Sequence, residues 1–339
     1  MVKTNPNKAN FHQGEMNAKP IKTKDYEKRW AFGVHQKQSQ SNPISMGQKR
    51  TQISLPKKGC KMATGISCIL EPDRDNACEG RHRKTQEKGT KMIETDISRV
   101  IIAEYGKKLA EHLENDVVIV GAGPAGLAAG YYLAKAKVKT TIIEKKLSIG
   151  GGIWGGAAGY NVVTFQDKEI LDEIGVATKK QGRLYIADAI EFATALAYKA
   201  KRAGAAIFNL IEAEDIVLKQ ETVKGIVVNS ASARGLGLHV DPFCICAKYT
   251  IDATGHPAEL VGMLKRRKPE MFPMELHEYF MNVEASEAGV VEKTGEVFPG
   301  LYVAGMAVCD VYNLPRMGPI FGGMLKSGKK VAELINERM

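Results

Sequence analysis

The stretch DVVIVGAGPAGL, residues 116–127, constrains the fold more than any other part of the chain. Its apolar run predicts a buried strand, and the PAGLAAGYYLAKA segment that overlaps its end predicts a helix. Gly121, Gly123 and Gly126 form G-x-G-x-x-G between the two. The first glycine of this pattern allows a tight turn, the second lets backbone approach a pyrophosphate, and the third permits close helix–strand packing. The stretch therefore predicts a dinucleotide-binding β-α-β unit.

A second strand, KTTIIEKK, completes this unit and ends in Glu144, about 20 residues after the glycines. An acid at this position accepts hydrogen bonds from the adenosine ribose hydroxyls. Strands and helices continue to alternate, which predicts an α/β chain. With the late strand ends DATG and YVAG, the chain resembles the glutathione-reductase-like Rossmann dinucleotide-binding fold, which implies a single domain with inserted β elements. In that flavoprotein fold the last strand commonly ends in Gly-Asp. Met306 follows Gly305 here, which favours an NAD-like ligand over FAD.

The net charge of +10 is confined to the start of the chain. Residues 1–91 hold 19 Lys and Arg against 8 Asp and Glu, a balance of +11, and residues 92–339 hold 29 against 30. The first segment is polar and lacks apolar periodicity, so we expect a disordered basic extension. An amphipathic helix follows Met92, which we interpret as the working start, with a basic docking tail as the alternative. The remainder, 92–339, has no electrostatic basis for binding nucleic acid.

The apolar residues and the cysteines point to an intracellular protein. No apolar run approaches the length of a membrane span, and the N-terminus lacks the pattern of a secretory signal. The six cysteines include no C-x-x-C pair, which indicates neither a zinc ribbon nor a disulfide framework. We therefore expect a cytoplasmic location.

The segment GLHVDPFCICAKYTIDATGH surrounds a predicted strand with His239, Asp241 and His256. A metal site, a redox pair and polar loop ends are all compatible with it. Cys244 and Cys246 have the period-two spacing of one strand face, which favours ordinary buried cysteines over a sulfur donor.

Several segments together resemble the thiamine thiazole synthase family: DVVIVGAGPAGL, IIEKKLSIGGGIWGG, GLHVDP, YTIDATGH and PGLYVAGMAV with PRMGPIFGGM. The nearer branch is the archaeal, sulfide-dependent one, also known as ribulose-1,5-bisphosphate synthetase. The resemblance implies that NAD is a substrate, which loses nicotinamide and combines with glycine and sulfide to give an ADP-thiazole, with Fe(II) assisting. It further implies a homo-oligomer, an octamer in the family, with sites shared between protomers.

The resemblance also assigns roles to single positions. The expected NAD-binding residues are Gly121, Gly123, Ala125, Gly126, Glu144, Lys145, Gly152, Ala213, His239, Val240, Asp241 and Met306. Asp241 and His256 are the expected iron ligands, from adjacent protomers, and Arg316 the expected site of the glycine carboxylate. In relatives that give up their own sulfur, a cysteine occupies the position of His239, so His239 implies free sulfide, multiple turnover and a possible proton shuttle.

Two other functions remain compatible with these residues. One is an FAD-dependent oxidoreductase of the same fold, which Met306 disfavours. The other is a dinucleotide-binding protein that is non-catalytic or resembles a sugar-phosphate isomerase. Trp154 lies between glycines and can either stack on the ligand or cover the pocket.

Overall fold

The computed structural model describes residues 93–272 and 275–339, and these belong to one compact unit, Thr85–Met339. The predicted basic extension of residues 1–91 and the interpretation of Met92 as the start both lie outside the described residues. Both therefore stay predictions.

The described chain alternates strands and helices. The strands are β1 Glu114–Val120, β2 Thr140–Glu144, β3 Val162–Phe165, β4 Lys179–Gln181, β5 Leu184–Asp188, β6 Ala206–Asn209, β7 Ile211–Lys219, β8 Thr222–Ser230, β9 Phe243–Asp252, β10 Tyr279–Met281, β11 Gly295–Phe298, β12 Leu301–Val303 and β13 Pro315–Arg316. The α-helices are α1 Glu94–Glu111, α2 Pro124–Lys135, α3 Glu169–Ile174, α4 Ala189–Ala203, α5 Ala231–Gly235, α6 Glu259–Arg267, α7 Val283–Lys293, α8 Met306–Tyr312 and α9 Gly322–Asn336.

The main sheet has a parallel centre in the order β12, β9, β1, β2, β6. Its antiparallel additions are β11 on β12, and the β7–β8 hairpin, which joins the sheet through β9. The residues from Val117 to Val120 are buried without alternation, as expected where helices cover both faces of a parallel sheet. The three-stranded sheet β3-β5-β4 and the pair β10-β13 are the inserted β elements. The predicted α/β Rossmann fold is confirmed.

Helix α2 packs against α9 and α4 beside the parallel strands. Pro124 occupies the first turn of α2, where its missing N–H is not needed. The helices pack closely because small residues line the contact: a Cβ added at Gly328 would lie 2.3 Å from the Ala125 carbonyl oxygen. Asp188 caps α4 by accepting hydrogen bonds from the amides of Ile190 and Glu191. These contacts fix the start of α2 relative to the sheet, where the glycine turn lies.

The predicted N-terminal helix exists as α1, and it contacts the core near its C-terminal end, where Leu109 packs against the core and the Tyr105 ring lies edge-on to Phe208, with 6.1 Å between the ring centroids. Ile97, Val100, Ile101 and Tyr105 are all exposed. The sequence pattern predicted the helix correctly, but most of its apolar face is exposed rather than buried. Among the described residues, none of the helices has the length and apolarity needed to cross a membrane.

Candidate functional site

A cavity of about 780 Å³ lies at the carboxyl ends of β1, β2, β9 and β12. Open α/β sheets bind their ligands at this edge, because the loops that follow parallel strands meet there. The glycine turn follows β1, Glu144 ends β2, residues 254–256 follow β9, and Met306 lies after β12. Arg316, in β13, lines one side of the cavity.

The glycine turn has the geometry that its spacing predicts. Gly121 has φ +101°, and a Cβ there would lie 2.3 Å from the Ala253 carbonyl oxygen, so this position needs glycine. Gly123 precedes α2 and lines the cavity, which leaves the N-terminal amides of the helix available to an anion. Gly126 does not line the cavity and instead lies against the turn itself.

Glu144 is buried at the end of β2 with its carboxylate turned back to the glycine turn. One oxygen accepts a hydrogen bond from the Ala122 amide at 2.9 Å, and the other accepts from the Lys146 amide at 2.9 Å. Because each oxygen keeps a further lone pair, the carboxylate can still accept from a ligand. The side chain is thus held in place before any ribose arrives.

Lys145, beside Glu144, points its ammonium to Glu259 at 2.5 Å. The hydrogen bond to Glu259 raises the pKa of Lys145, against a smaller lowering by burial. Glu259 begins α6, and both side chains line the cavity. Asp252, fully buried at the end of β9, accepts from the Leu260 and Val261 amides and so fixes α6 to the sheet. Burial raises the pKa of Asp252.

His256 and Arg316, which are far apart in sequence, meet at one carboxylate. Glu278 Oε2 lies 2.8 Å from His256 Nδ1, and Glu278 Oε1 lies 2.8 Å from Arg316 Nε. The Glu278 side chain is 16% exposed, whereas those of His256 and Arg316 are about half exposed, at 51% and 53%. The two half-exposed side chains therefore face the cavity from a shared, more buried anchor.

Asp310 lies near this group on α8 and is 4% exposed. Burial raises its pKa to about 6, and the negative charge of Glu278 adds to the rise, while His256 opposes it. Asp310 is therefore a carboxyl of this region whose charge changes at mildly acidic pH.

His239, Val240 and Asp241 do not line the main cavity. They line a second hollow of about 540 Å³, and all three are exposed. Asn229, whose side-chain amide donates to the Val240 carbonyl at 2.8 Å, holds the segment against β8. Arg234, between Glu212 of the main cavity and Glu214 of the hollow, pairs with both.

Asp241 and His256 flank opposite ends of β9. The strand holds ten residues, Phe243–Asp252, and an extended strand rises about 3.3 Å per residue, so its ends lie on the order of 30 Å apart. Among the described residues, no group of three or more His, Cys, Asp or Glu side chains could hold a metal ion. Because the ends of β9 are so far apart, Asp241 and His256 of one protomer cannot bind the same metal ion.

Most predicted site residues do come together. The main cavity is lined by Gly121, Gly123, Ala125, Glu144, Lys145, Gly152, Ala213, His256, Met306 and Arg316. Glu278, Glu259 and Asp310 belong to this region and were not predicted, since each lies in a segment without a motif or a regular spacing. Trp154 donates its indole N–H to the Ile149 carbonyl at 2.6 Å and is not among the residues that line the cavity.

The expectation of buried cysteines is wrong. Cys244 is exposed and Cys246 partly exposed. The two share one face of β9, as predicted, but the buried face carries Ile245 and Ala247 instead. The period-two pattern shows that the two cysteines lie on the same face of the strand, but it does not show whether that face is buried.

This fold and cavity define the chain as an α/β protein with a Rossmann dinucleotide-binding fold. Residues 98–321 match the model of the Thi4 family, and the chain belongs to that family.

Named relatives match over nearly their whole length. A thiamine thiazole synthase of Pyrococcus furiosus is 52% identical over 247 residues, which cover 72% of this chain and 97% of the relative. The thiamine thiazole synthase of Methanothermobacter thermautotrophicus is 46% identical over 256 residues, covering 74% and 99%. A crystal structure of THI4 from Thermovibrio ammonificans is 46% identical, with a TM-score of 0.70, and covers 74% of this chain and 99% of its own.

Proposed function

We propose that this protein is a thiamine thiazole synthase that makes an ADP-thiazole from NAD, glycine and free sulfide, with Fe(II), over multiple turnovers. The observation that carries the proposal is the meeting of His256 and Arg316 at the edge of a cavity lined by the glycine turn and Glu144. His256 suits a metal ion, and Arg316 suits the carboxylate of an amino acid. The glycine turn and Glu144 suit an adenine dinucleotide.

The main cavity accounts for NAD and glycine. The amides at the start of α2 would hold the pyrophosphate, and Glu144 would accept hydrogen bonds from the adenosine ribose. Arg316 would grip the glycine carboxylate with its planar fork, which a lysine could not reproduce. Met306 lies in the cavity wall where flavoproteins of this fold carry an acid for the flavin, which supports NAD over FAD.

His256 and Asp241 would hold the iron. Their imidazole and carboxylate fit Fe(II), with positions left for substrate atoms. The ion would supply Lewis acidity and a place for sulfide near the reacting carbon. Because the two residues flank opposite ends of β9, one ion would need Asp241 from one protomer and His256 from another.

This sharing supports a homo-oligomer, and the family suggests an octamer. The exposed apolar face of α1, with Ile97, Val100 and Ile101, is a surface of the kind that subunit contacts cover.

His239 supports free sulfide as the sulfur donor, since an imidazole has no sulfur to give. Its exposed position in the second hollow leaves the imidazole nitrogens open to solvent, where they can accept and donate a proton. The charge balance of residues 92–339, 29 basic against 30 acidic, supports small anionic ligands over nucleic acid as partners.

The test is anaerobic incubation of the purified protein with NAD, glycine, sulfide and Fe(II), with the product quantified against protein. We expect more than one ADP-thiazole per protomer, and none when sulfide is left out. A yellow purified protein with a flavin spectrum and no thiazole product would instead favour an FAD-dependent oxidoreductase.

The sulfur source has its own readout. After turnover, the intact mass should be unchanged, because no residue gives up sulfur. A loss equal to one hydrogen sulfide at Cys244 or Cys246 would contradict free sulfide as the donor, and Cys244→Ser with Cys246→Ser should retain full activity.

A further inference from the structure

Glu278 contacts both His256 and Arg316, and it does so with separate oxygens. Oε2 lies 2.8 Å from His256 Nδ1, and Oε1 lies 2.8 Å from Arg316 Nε. The carboxylate is more buried than either partner. Neither the family resemblance nor the sequence pattern assigns this glutamate a role.

The contact with His256 decides which ring nitrogen is available. A carboxylate can only accept hydrogen bonds, so Nδ1 is the donor in this contact, and in the neutral imidazole Nε2 then presents its lone pair. Histidines that bind metals are commonly held in this way, with a carboxylate behind the ring that fixes its orientation and raises its basicity. Glu278 is placed to do this for His256.

The contact with Arg316 occurs at Nε, on the side edge of the guanidinium. The edge formed by the two terminal nitrogens is left to face a ligand, and that edge can bind a carboxylate through two parallel hydrogen bonds. Glu278 therefore fixes the plane of the Arg316 guanidinium and leaves its two terminal nitrogens available to a ligand.

The backbone around Glu278 is tied to the Arg316 loop. Strand β10 begins one residue after Glu278 and pairs with β13, with Met281 opposite Arg316. The Tyr279 amide donates to the Leu314 carbonyl at 2.9 Å, which is a further bond between the two segments. The position of the carboxylate is thus set by a small sheet rather than by a free loop.

We propose that Glu278 is a positioning residue that holds the metal-binding imidazole of His256 and the carboxylate-binding guanidinium of Arg316 in one fixed arrangement. This inference rests on the proposed function, and it deepens the account of the same site. A carboxylate is required because it offers two acceptor atoms. An amide offers one acceptor and one donor group, so a glutamine that keeps the Arg316 bond can contact His256 Nδ1 only by donating to it, which places the imidazole proton on Nε2 and removes the lone pair that a metal needs.

The test compares Glu278→Gln and Glu278→Ala with a matched control, Glu275→Gln. Glu275 lies on the same segment, its side chain is 86% exposed, and it pairs with Lys265 outside the cavity. The assembled proteins are titrated anaerobically with Co(II), followed by its visible absorption, and glycine KM and kcat are measured at saturating metal.

We expect Co(II) affinity to fall about 10- to 100-fold in Glu278→Gln, as for other partners of metal-binding histidines, and further in Glu278→Ala. Glycine KM should rise severalfold in both, with a smaller effect on kcat at saturating glycine and metal. The control should match the unmodified protein in all three quantities. Equal thermal unfolding temperatures would show that the changes arise at the site.

Two outcomes would overturn the inference. In one, both Glu278 variants bind Co(II) and glycine like the unmodified protein. In the other, glycine KM falls and metal binding tightens, which would mean that Glu278 competes for His256 and Arg316. Failure of the proposed function is a separate result: the unmodified protein would form no thiazole, whereas the Co(II) titration would still report on Glu278.

Discussion

Gly126 lies so close to Gly121 that a Cβ added at Gly126 would come within 2.0 Å of the Gly121 carbonyl oxygen. The third glycine of the fingerprint therefore serves the contact between helix and turn, whereas Gly123 faces the cavity. Alanine at Gly126 should therefore reduce stability, whereas alanine at Gly123 should weaken ligand binding.

Gly126→Ala should destabilise the fold. The added methyl group meets backbone on a buried helix, which can move only by displacing α2 from the sheet, so the free energy of unfolding should fall by about 3 kcal/mol or more. Urea unfolding monitored by circular dichroism measures it. A variant as stable as the parent would show that α2 can shift at little cost.

Gly123→Ala should leave the fold intact and weaken NAD binding. Its φ of −77° suits alanine, and among the residues that the structure describes, apart from the two chain neighbours, none has a heavy atom within 4 Å of an added Cβ. The methyl group would occupy space where backbone approaches the pyrophosphate, so NAD affinity should fall about tenfold or more. Calorimetric titration with NAD tests this, with the unfolding temperature as the control. Unchanged affinity would mean that the pyrophosphate lies elsewhere.

Glu144→Ala should affect both stability and binding. It removes the acceptor of the buried Ala122 amide, and an unsatisfied buried N–H costs about 1–3 kcal/mol. Glu144→Gln keeps one acceptor and should lose less stability while still binding NAD more weakly. Denaturant unfolding and NAD titration of both variants separate the two effects, and equal stability losses would contradict the role of the Ala122 bond.

Asp310 should make stability depend on pH. Burial raises its pKa from 3.8 to about 6 in the folded protein, so the folded state binds the proton more tightly than the unfolded state. The free energy of unfolding therefore falls as the pH rises from about 4 to about 6. Above that range the full destabilisation by the ionised Asp310 carboxylate is present. Asp310→Asn should remove this fall and raise the free energy of unfolding at pH 7.5 by up to about 3 kcal/mol.

Denaturant unfolding at several pH values from 4.5 to 7.5 tests the Asp310 prediction. Asp96→Asn, which changes an exposed carboxylate on α1, is the control and should follow the parent curve. Identical pH dependence in the parent and Asp310→Asn would refute it.

The proposed sharing of an iron site between protomers predicts complementation between inactive chains. Asp241→Ala and His256→Ala should each lack activity, because each removes one ligand from every centre. In co-expressed assemblies, Asp241 of one chain meets His256 of the other in a fraction of the centres, so activity should return to about a quarter of the parent value under random mixing. Separately expressed samples assayed without exchange are the control. No recovery in mixed assemblies would argue against sharing.

The sequence predicted the β-α-β unit well because its signals are local. The glycine turn and the acid at Glu144 follow directly from chain order, and the structure has the turn between β1 and α2 and Glu144 at the end of β2.

The parts that escaped prediction depend on long-range packing. Glu278 reaches His256 across 22 positions of sequence and Arg316 across 38, and nothing near Glu278 indicates either contact. Cys244 and Cys246 carry the right alternation, but only tertiary packing determines which face of β9 is covered. The apolar spacing of α1 predicted a helix and could not say what, if anything, lies against it.

Strand β9 fixes a distance as well as a register. Its sides pair with β8, β1 and β12, and its two ends carry the residues proposed for two different iron centres. A substitution at an outward position such as Lys248 leaves that spacing unchanged. Insertion of two residues keeps the alternation of faces and yet moves one end about 7 Å from the other. Evolution is therefore free to change the composition of this strand but is restricted in changing its length.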